Sequence, residues 1–229
     1  MARLIVPLLL ALSLCACTAK EAQAVPEPSS SAAPAQVEAV FQSEPIPQAV
    51  RQKMIGVSWV ENEHVGLDDL SLCTLTYHGF DGDTHTGQMV VNAAVADDVT
   101  AIFKELYEAE YPIEKICLID DYGASDEASM ADNNSSAFCY RVIDGTQYIS
   151  NHALGLAVDI NPLQNPYVRG ENVQPEAGRD YLDRDNVRPG MIVPGDACYN
   201  AFLSRGWTWG GEWTSPSPTD YQHFEKALE

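Results

Sequence analysis

Cationic side chains are scarce in this chain: 13 Lys and Arg stand against 33 Asp and Glu, a formal net charge of −20 at pH 7. A surface so acidic repels phosphate, which argues against nucleic acid or anionic lipid as a partner. The acidic residues are scattered rather than blocked, as on an ordinary soluble surface. Long apolar runs are also lacking. The one that occurs, Leu4–Leu14, follows Arg3 and is short for a membrane span. None of the six cysteines forms a CxxC pair, which argues against a cysteine zinc site. No internal repeat is visible, and only five histidines are present.

What stands at the N-terminus is an export signal. A basic residue, an apolar run and then small residues describe a signal peptide over residues 1–16. Its end, Leu14-Cys15-Ala16-Cys17, reads as a lipobox with Cys17 as the lipidated residue, so the mature protein is expected outside the cytoplasm, anchored to the cell membrane by lipid. Ordinary secretion, with Cys17 a bystander, is the alternative. Residues 17–48 are rich in Ala, Pro, Ser, Glu and Gln and poor in large apolar side chains, the composition of a disordered tether. Residues 49–229 suffice for one domain with a real core, expected as a monomer. Its four cysteines allow two disulfides in an exported protein, with Cys73–Cys117 and Cys139–Cys198 the preferred pairing and four free thiols the alternative.

Leu70–Gly79 alternates apolar and polar residues and predicts a strand, Phe80–Asp83 a turn, and Gln88–Val91 a returning strand. Beyond Asn92, a candidate N-cap, Val95, Val99, Ile102, Phe103 and Leu106 recur at helical spacing, with Asp97 and Asp98 near the start; this helix ends before Pro112. Ile116–Ile119 predicts a short buried strand, Asp120–Ser136 a long polar loop of the kind that is often functional, and Phe138–Val142 a further strand. Leu156–Ile160 is the next strand, with Leu156, Val158 and Ile160 on one face and Ala157 and Asp159 on the other. Residues 168–196 read as a long irregular connection, Cys198–Arg205 as a short helix stopped by Gly206, and Tyr221–Glu225 as the last strand. Strands and helices do not strictly alternate, so the expected fold is α+β, a small antiparallel sheet with flanking helices.

The chemistry concentrates in Ser150-Asn-His152-Ala-Leu-Gly155-Leu-Ala157-Val-Asp159 and in Asp220-Tyr-Gln-His223. His152, Asp159 and His223 are the side-chain types that hold a catalytic zinc, and three protein ligands leave a position open for water. Asp220 is the candidate general base, with Glu212 and Glu225 as rivals and Glu225 also a candidate outer partner of His223. Arg141 is the natural oxyanion stabiliser, against a purely structural salt bridge. His64, His78 and His85 lack a patterned carboxylate neighbour, and His78 and His85 read as surface residues.

Ser150-x-His152-x-x-Gly155-x-Ala157-x-Asp159 followed by Asp220-x-x-His223 is similar to the M15 family of zinc peptidases, over roughly residues 50–229. The resemblance implies Zn2+ on His152, Asp159 and His223, Asp220 as the catalytic carboxylate, and Arg141 stabilising the transition state. It implies the small α+β fold shared by Hedgehog signalling domains and DD-peptidases. The substrate class it implies is the peptidoglycan stem peptide, cut by a D-alanyl-D-alanine carboxypeptidase or an L-alanyl-D-glutamate endopeptidase. Asp-x-x-His in place of Glu-x-x-His, Ile160–Tyr167 and the Trp209–Trp213 segment resemble the endolysin and wall-endopeptidase branch. Ser150, with Asp132 and Asn134 on the polar loop, is expected at the substrate. A non-catalytic zinc-containing wall-binding lipoprotein and a different amidase chemistry are the competing readings.

Overall fold

The computed structural model describes residues 38–143, 145–214 and 216–228. The signal peptide, Cys17 and most of the expected tether lie outside these residues. No described helix is long and apolar enough to cross a membrane.

The fold starts earlier than its composition suggests. Strand β1 (Phe41–Pro45) and the start of helix α1 (Gln48–Met54) lie in the stretch read as tether. Both are anchored: β1 pairs antiparallel with β2 (Leu70–His78), and α1 buries Met54. β2 pairs in turn with β3 (Thr84–Asn92), which is longer than its apolar stretch alone indicated. The alternation of β2 and β3 serves two cores. Cys73, Leu75, Tyr77, Met89 and Val91 face the main core, whereas Leu70, Leu72 and Val90 face a smaller one with Met54, Leu118 and Phe138. Helix α2 (Ala96–Glu108) buries Val99, Ile102, Phe103 and Leu106 in the main core. A 3-10 turn, Ala93–Val95, precedes it, and the Asn92 side chain caps that turn by accepting from Ala94 N.

The polar segment 120–136 is ordered, not one long loop. After β4 (Lys115–Ile116) come a 3-10 helix at Ile119–Tyr122, helix α3 (Asp126–Ala131) capped by Ser125, and β5 (Asn134–Ser135), which pairs parallel with β4. Ser125 caps α3 locally, whereas Asp120, Asn133, Asn134 and Ser135 accept backbone N–H groups from other segments. Phe138–Val142 is not a strand. Its backbone bonds are dispersed among partners: Phe138 N to Val90, Cys139 N to His152 and Tyr140 N to Ser58.

The C-terminal part builds two further small sheets. β6 (Ala157–Asp159) lies within the predicted strand, and Leu156, Val158 and Ile160 are all buried in the main core. The connection after it is partly regular, with a hairpin of β7 (Tyr167–Arg169) and β8 (Asn172–Gln174) and a 3-10 helix at Glu176–Tyr181. Helix α4 (Ala197–Leu203), capped by Asp196, leads to β9 (Thr208–Trp209), β10 (Thr219–Asp220) and β11 (His223–Glu225). β11 is central between β6 and β9, while β10 pairs with β7. Val158, Phe224 and Trp209 are in register across β6, β11 and β9, and Phe202 of α4 stacks on Phe224 at 3.9 Å between centroids. The molecule is thus a mixed α and β protein of small, mainly antiparallel sheets. Cys73, Cys117, Cys139 and Cys198 are all free, so the expected disulfide pairing does not form. Cys73 and Cys198 are instead small apolar members of the main core.

Candidate metal centre

His152 sits on a 3-10 turn, Asn151–Leu154, and both ends of that turn are fixed. Ser150 Oγ accepts from His152 N at 3.2 Å, and Gly155 closes the turn in the left-handed region at φ 69°. A side chain at Gly155 would meet Asn92 N at 2.5 Å, because Asn92 N donates to Gly155 O there at 2.8 Å. The cap of the α2 segment and the histidine turn are therefore pinned to each other. Asp159 follows on β6, and the β6–β11 register sets His223 directly opposite it. Paired residues of an antiparallel ladder share a face, so Asp159 and His223 project together, opposite to Val158 and Phe224 in the core.

The three side chains converge, with potential ligand atoms all within 4.8 Å of one another and every residue buried. His152 Nε2 lies 3.2 Å from Asp159 Oδ2 and 3.1 Å from His223 Nδ1, and His223 Nδ1 lies 3.1 Å from Asp159 Oδ1. The outer partners assign the imidazole protons. His152 Nδ1 is 2.6 Å from Ala137 O, a carbonyl that can only accept, so that nitrogen carries hydrogen. His223 Nε2 faces Glu225 Oε2 at 3.1 Å and carries hydrogen for the same reason. In the neutral rings the lone pairs of His152 Nε2 and His223 Nδ1 then point at each other and at a carboxylate. Three acceptors converging in a buried space require a cation, and two imidazoles with one carboxylate suit a divalent transition metal.

Electrostatics express the same demand. Burial alone would raise the Asp159 carboxyl, but the charge and hydrogen bonds of His152 and His223 outweigh it and hold Asp159 well below the usual carboxylate range. Burial disfavours charge on His223 too, yet hydrogen bonds to Asp159 and Glu225 raise it to about 10 in the metal-free site. The centre takes one positive charge, from a proton on His223 or from a metal ion.

Asp220 is outside this group of three but beside it. Burial pushes its carboxyl up to about 7, with His223 pulling it down and Asp159 pushing it up. Although the residue as a whole is partly exposed, its Oδ1 is buried without a hydrogen-bond partner. Asp220 is thus a carboxyl with an uncommitted oxygen that interacts electrostatically with all three members of the candidate centre. Close packing holds it there: a Cβ on Gly210 would lie 2.7 Å from Asp220 O and 3.3 Å from His223 Cβ. The rivals are otherwise engaged. Glu225 holds His223, and Glu212 Oε1 accepts from Tyr199 OH at 2.6 Å.

Other expected site residues have different places. Ser150 is buried and caps the histidine turn. Asn134 is fully buried; its Oδ1 accepts from Cys117 N, and its Nδ2 donates to Cys117 O and Ser129 Oγ. Its amide thus ties β5 to the residue that follows β4. Asp132 is exposed at the end of α3, and its Oδ2 is held by Lys115 Nζ and Tyr122 OH. Arg141 Nη2 pairs with Asp126 Oδ2 at 2.8 Å, the structural bridge among its two readings, while its Nε is buried without a partner. Its backbone remains tied to the centre, since Ser150 N donates to Arg141 O. His78 is half-buried and stacks on Tyr107, whereas His85 lies with its ring at the surface, where it pairs with Asp81.

Sequence reasoning missed Asn151, Trp213 and the Ala137 carbonyl. Asn151 Nδ2 donates to Glu225 Oε2 at 2.6 Å, and the Trp213 ring lies 5.3 Å from that of His223. Nothing in composition or spacing marks a backbone carbonyl as the partner of a histidine 15 residues away. A groove of about 330 Å³ runs along Thr74, Gly87 and Gln88 beside Cys117 and Lys53, and none of the metal-centre residues lines it.

Residues 144–226 match an M15 peptidase family model described as D-alanyl-D-alanine carboxypeptidase. The match spans His152, Asp159, Asp220 and His223 and supports an M15-family peptidase. No match was found among curated proteins or among solved structures.

Proposed function

We propose that this chain, an M15-family peptidase by its segment 144–226, uses zinc on His152, Asp159 and His223 to hydrolyse peptidoglycan stem peptides as a D-alanyl-D-alanine carboxypeptidase. The observation that carries the reading is the coincidence of the matched segment with three buried, converging side chains of the types that bind a divalent metal. A Hedgehog and DD-peptidase type of fold is part of the proposal. So are export, lipidation at Cys17 and anchoring to the outer side of a membrane, which would hold the domain near the wall.

Zinc bound there would lower the pKa of a water molecule and polarise the scissile carbonyl. The chain's own residues supply the rest. Asp220 accepts the proton of the attacking water at its buried carboxyl and returns it to the leaving amine. Its position outside the ligand group and its elevated pKa suit both halves of that transfer. Glu225 and the Ala137 carbonyl fix the two imidazoles so that their lone pairs face inward. Arg141 is proposed to donate to the developing oxyanion through the N–H groups that Asp126 leaves uncommitted.

Asp220 in place of Glu in the Asp220-Tyr-Gln-His223 motif favours a second reading, the L-alanyl-D-glutamate endopeptidase. Mass spectrometry of peptidoglycan after incubation with the zinc-loaded protein separates the two. Loss of one terminal alanine from pentapeptide stems is expected. Release of stems beginning at D-Glu would establish the endopeptidase. An unchanged digest, with zinc confirmed bound, would replace both by a non-catalytic wall-binding lipoprotein.

A further inference from the structure

Glu225 does more than accept one proton from His223. Its Oε2 also receives Asn151 Nδ2 at 2.6 Å, and Asn151 is the residue before His152 on the same 3-10 turn. One carboxylate oxygen therefore joins the turn that carries the first histidine to the strand that carries the second. Ala157, in register with Glu225 across β6 and β11, is the small neighbour that shares its face. Among the described residues no other hydrogen bond or ion pair engages the Glu225 carboxylate, so the side chain is committed to this link.

We propose that Asn151 and Glu225 form a positioning clamp for the metal centre, which fixes the tautomer and angle of His223 and the spacing between the two imidazoles. The inference rests on the metal-binding part of the functional reading and not on which bond is cut. Neither residue belongs to the converging group of three candidate ligands. Glu225 acts on the Nε2–H of His223, so that Nδ1 is the nitrogen left to bind. Asn151 acts on Glu225 and, through the backbone, on His152. Because the distance between the two histidine nitrogens depends on a turn and a strand 71 residues apart in sequence, a side-chain link between them is where that spacing can be held.

The test is metal binding, measured with Zn2+ by chelator competition and with Co2+ by its visible spectrum, together with the NMR signals of the His223 ring nitrogens. Glu225→Ala is expected to weaken metal binding by about 10- to 100-fold, the range found when outer partners of metal-binding histidines are removed, and to alter the Co2+ spectrum. Glu225→Gln keeps an oxygen in place for both donors and is expected to recover most of the loss, with the His223 Nε2–H signal retained. Asn151→Ala is expected to weaken binding less than Glu225→Ala while altering the Co2+ spectrum in the same sense. Should Glu225→Ala not fold, Glu225→Gln and Asn151→Ala decide: wild-type spectrum and affinity in Asn151→Ala would overturn the clamp. Unchanged affinity in a folded Glu225→Ala would overturn it as well. A wild-type protein that binds zinc, responds to these substitutions and cuts no stem peptide would keep the clamp and remove the peptidase reading.

Discussion

His223 and Asp159 are partners in register across β11 and β6, with Nδ1 3.1 Å from Oδ1. A slip of one residue in that pairing would turn His223 into the core and Phe224 toward the metal centre, because side chains alternate faces. The stack of Val158, Phe224 and Trp209 under the sheet therefore fixes the site as well as the core.

Removing a ligand should remove the metal. His152→Ala is expected to lose stoichiometric zinc on dialysis, measured by elemental analysis, while His64→Ala, at an exposed ring, keeps it. Full zinc content in the first variant would dismiss His152 as a ligand.

Asp220→Asn should separate binding from turnover. Zinc content is expected to stay while kcat falls by about 10²- to 10⁴-fold, the usual contribution of a positioned proton acceptor. Undiminished turnover would show that another group takes the proton.

The same substitution carries a stability signature. The Asp220 carboxyl is raised from 3.8 to about 7 in the folded metal-free protein, so folding favours its protonated form. The resulting penalty is absent below the unfolded value of 3.8, grows as pH rises from there to about 7, and stays at its full size above that. Asp220→Asn should accordingly raise the melting temperature of the metal-free protein most at neutral pH and above, and change it little below about pH 4. A pH-independent difference would contradict this.

Metal binding should strengthen with pH. Metal-free His223 holds a proton up to about pH 10, and the metal must displace it. Apparent affinity is expected to rise about tenfold per pH unit through the neutral range, with release of a proton. Chelator competition at several pH values checks the slope; a flat profile would mean that His223 is neutral when empty.

Two substitutions test packing. Gly210→Ala would press a Cβ to within 2.7 Å of Asp220 O, and both melting temperature and activity should fall. Asn134→Ala leaves the Cys117 N–H and carbonyl without their amide partner, at a cost of about 1–3 kcal/mol for an unsatisfied buried group. It should leave KM unchanged, because Asn134 is structural; a raised KM would restore it to the substrate site.

The site was legible where chemistry depends on residue type and local spacing. His152, Gly155 and Asp159 fall within eight residues, and a left-handed glycine, a turn and a strand follow from that local pattern. The apolar stripe of α2 and the alternation of β2 were legible for the same reason, since periodicity reports the face that a core must bury. The expected disulfides and the Phe138–Val142 strand failed for the opposite reason. Each depends on which distant group a side chain or backbone meets. Short polar residues satisfy nearby backbone as readily as a ligand, and the sequence does not distinguish the two uses.

By itself, then, the sequence determined the donor set, the two motifs that carry it and the α+β character of the domain. Only the tertiary structure decided that His223 lands opposite Asp159, that Ala137 and Glu225 orient the two rings, that Asp220 keeps a free buried oxygen, and that Arg141 pairs with Asp126. The reason is physical: identity and period are properties of a chain segment, whereas register, desolvation and hydrogen-bond partnership exist only once segments far apart in sequence have packed together.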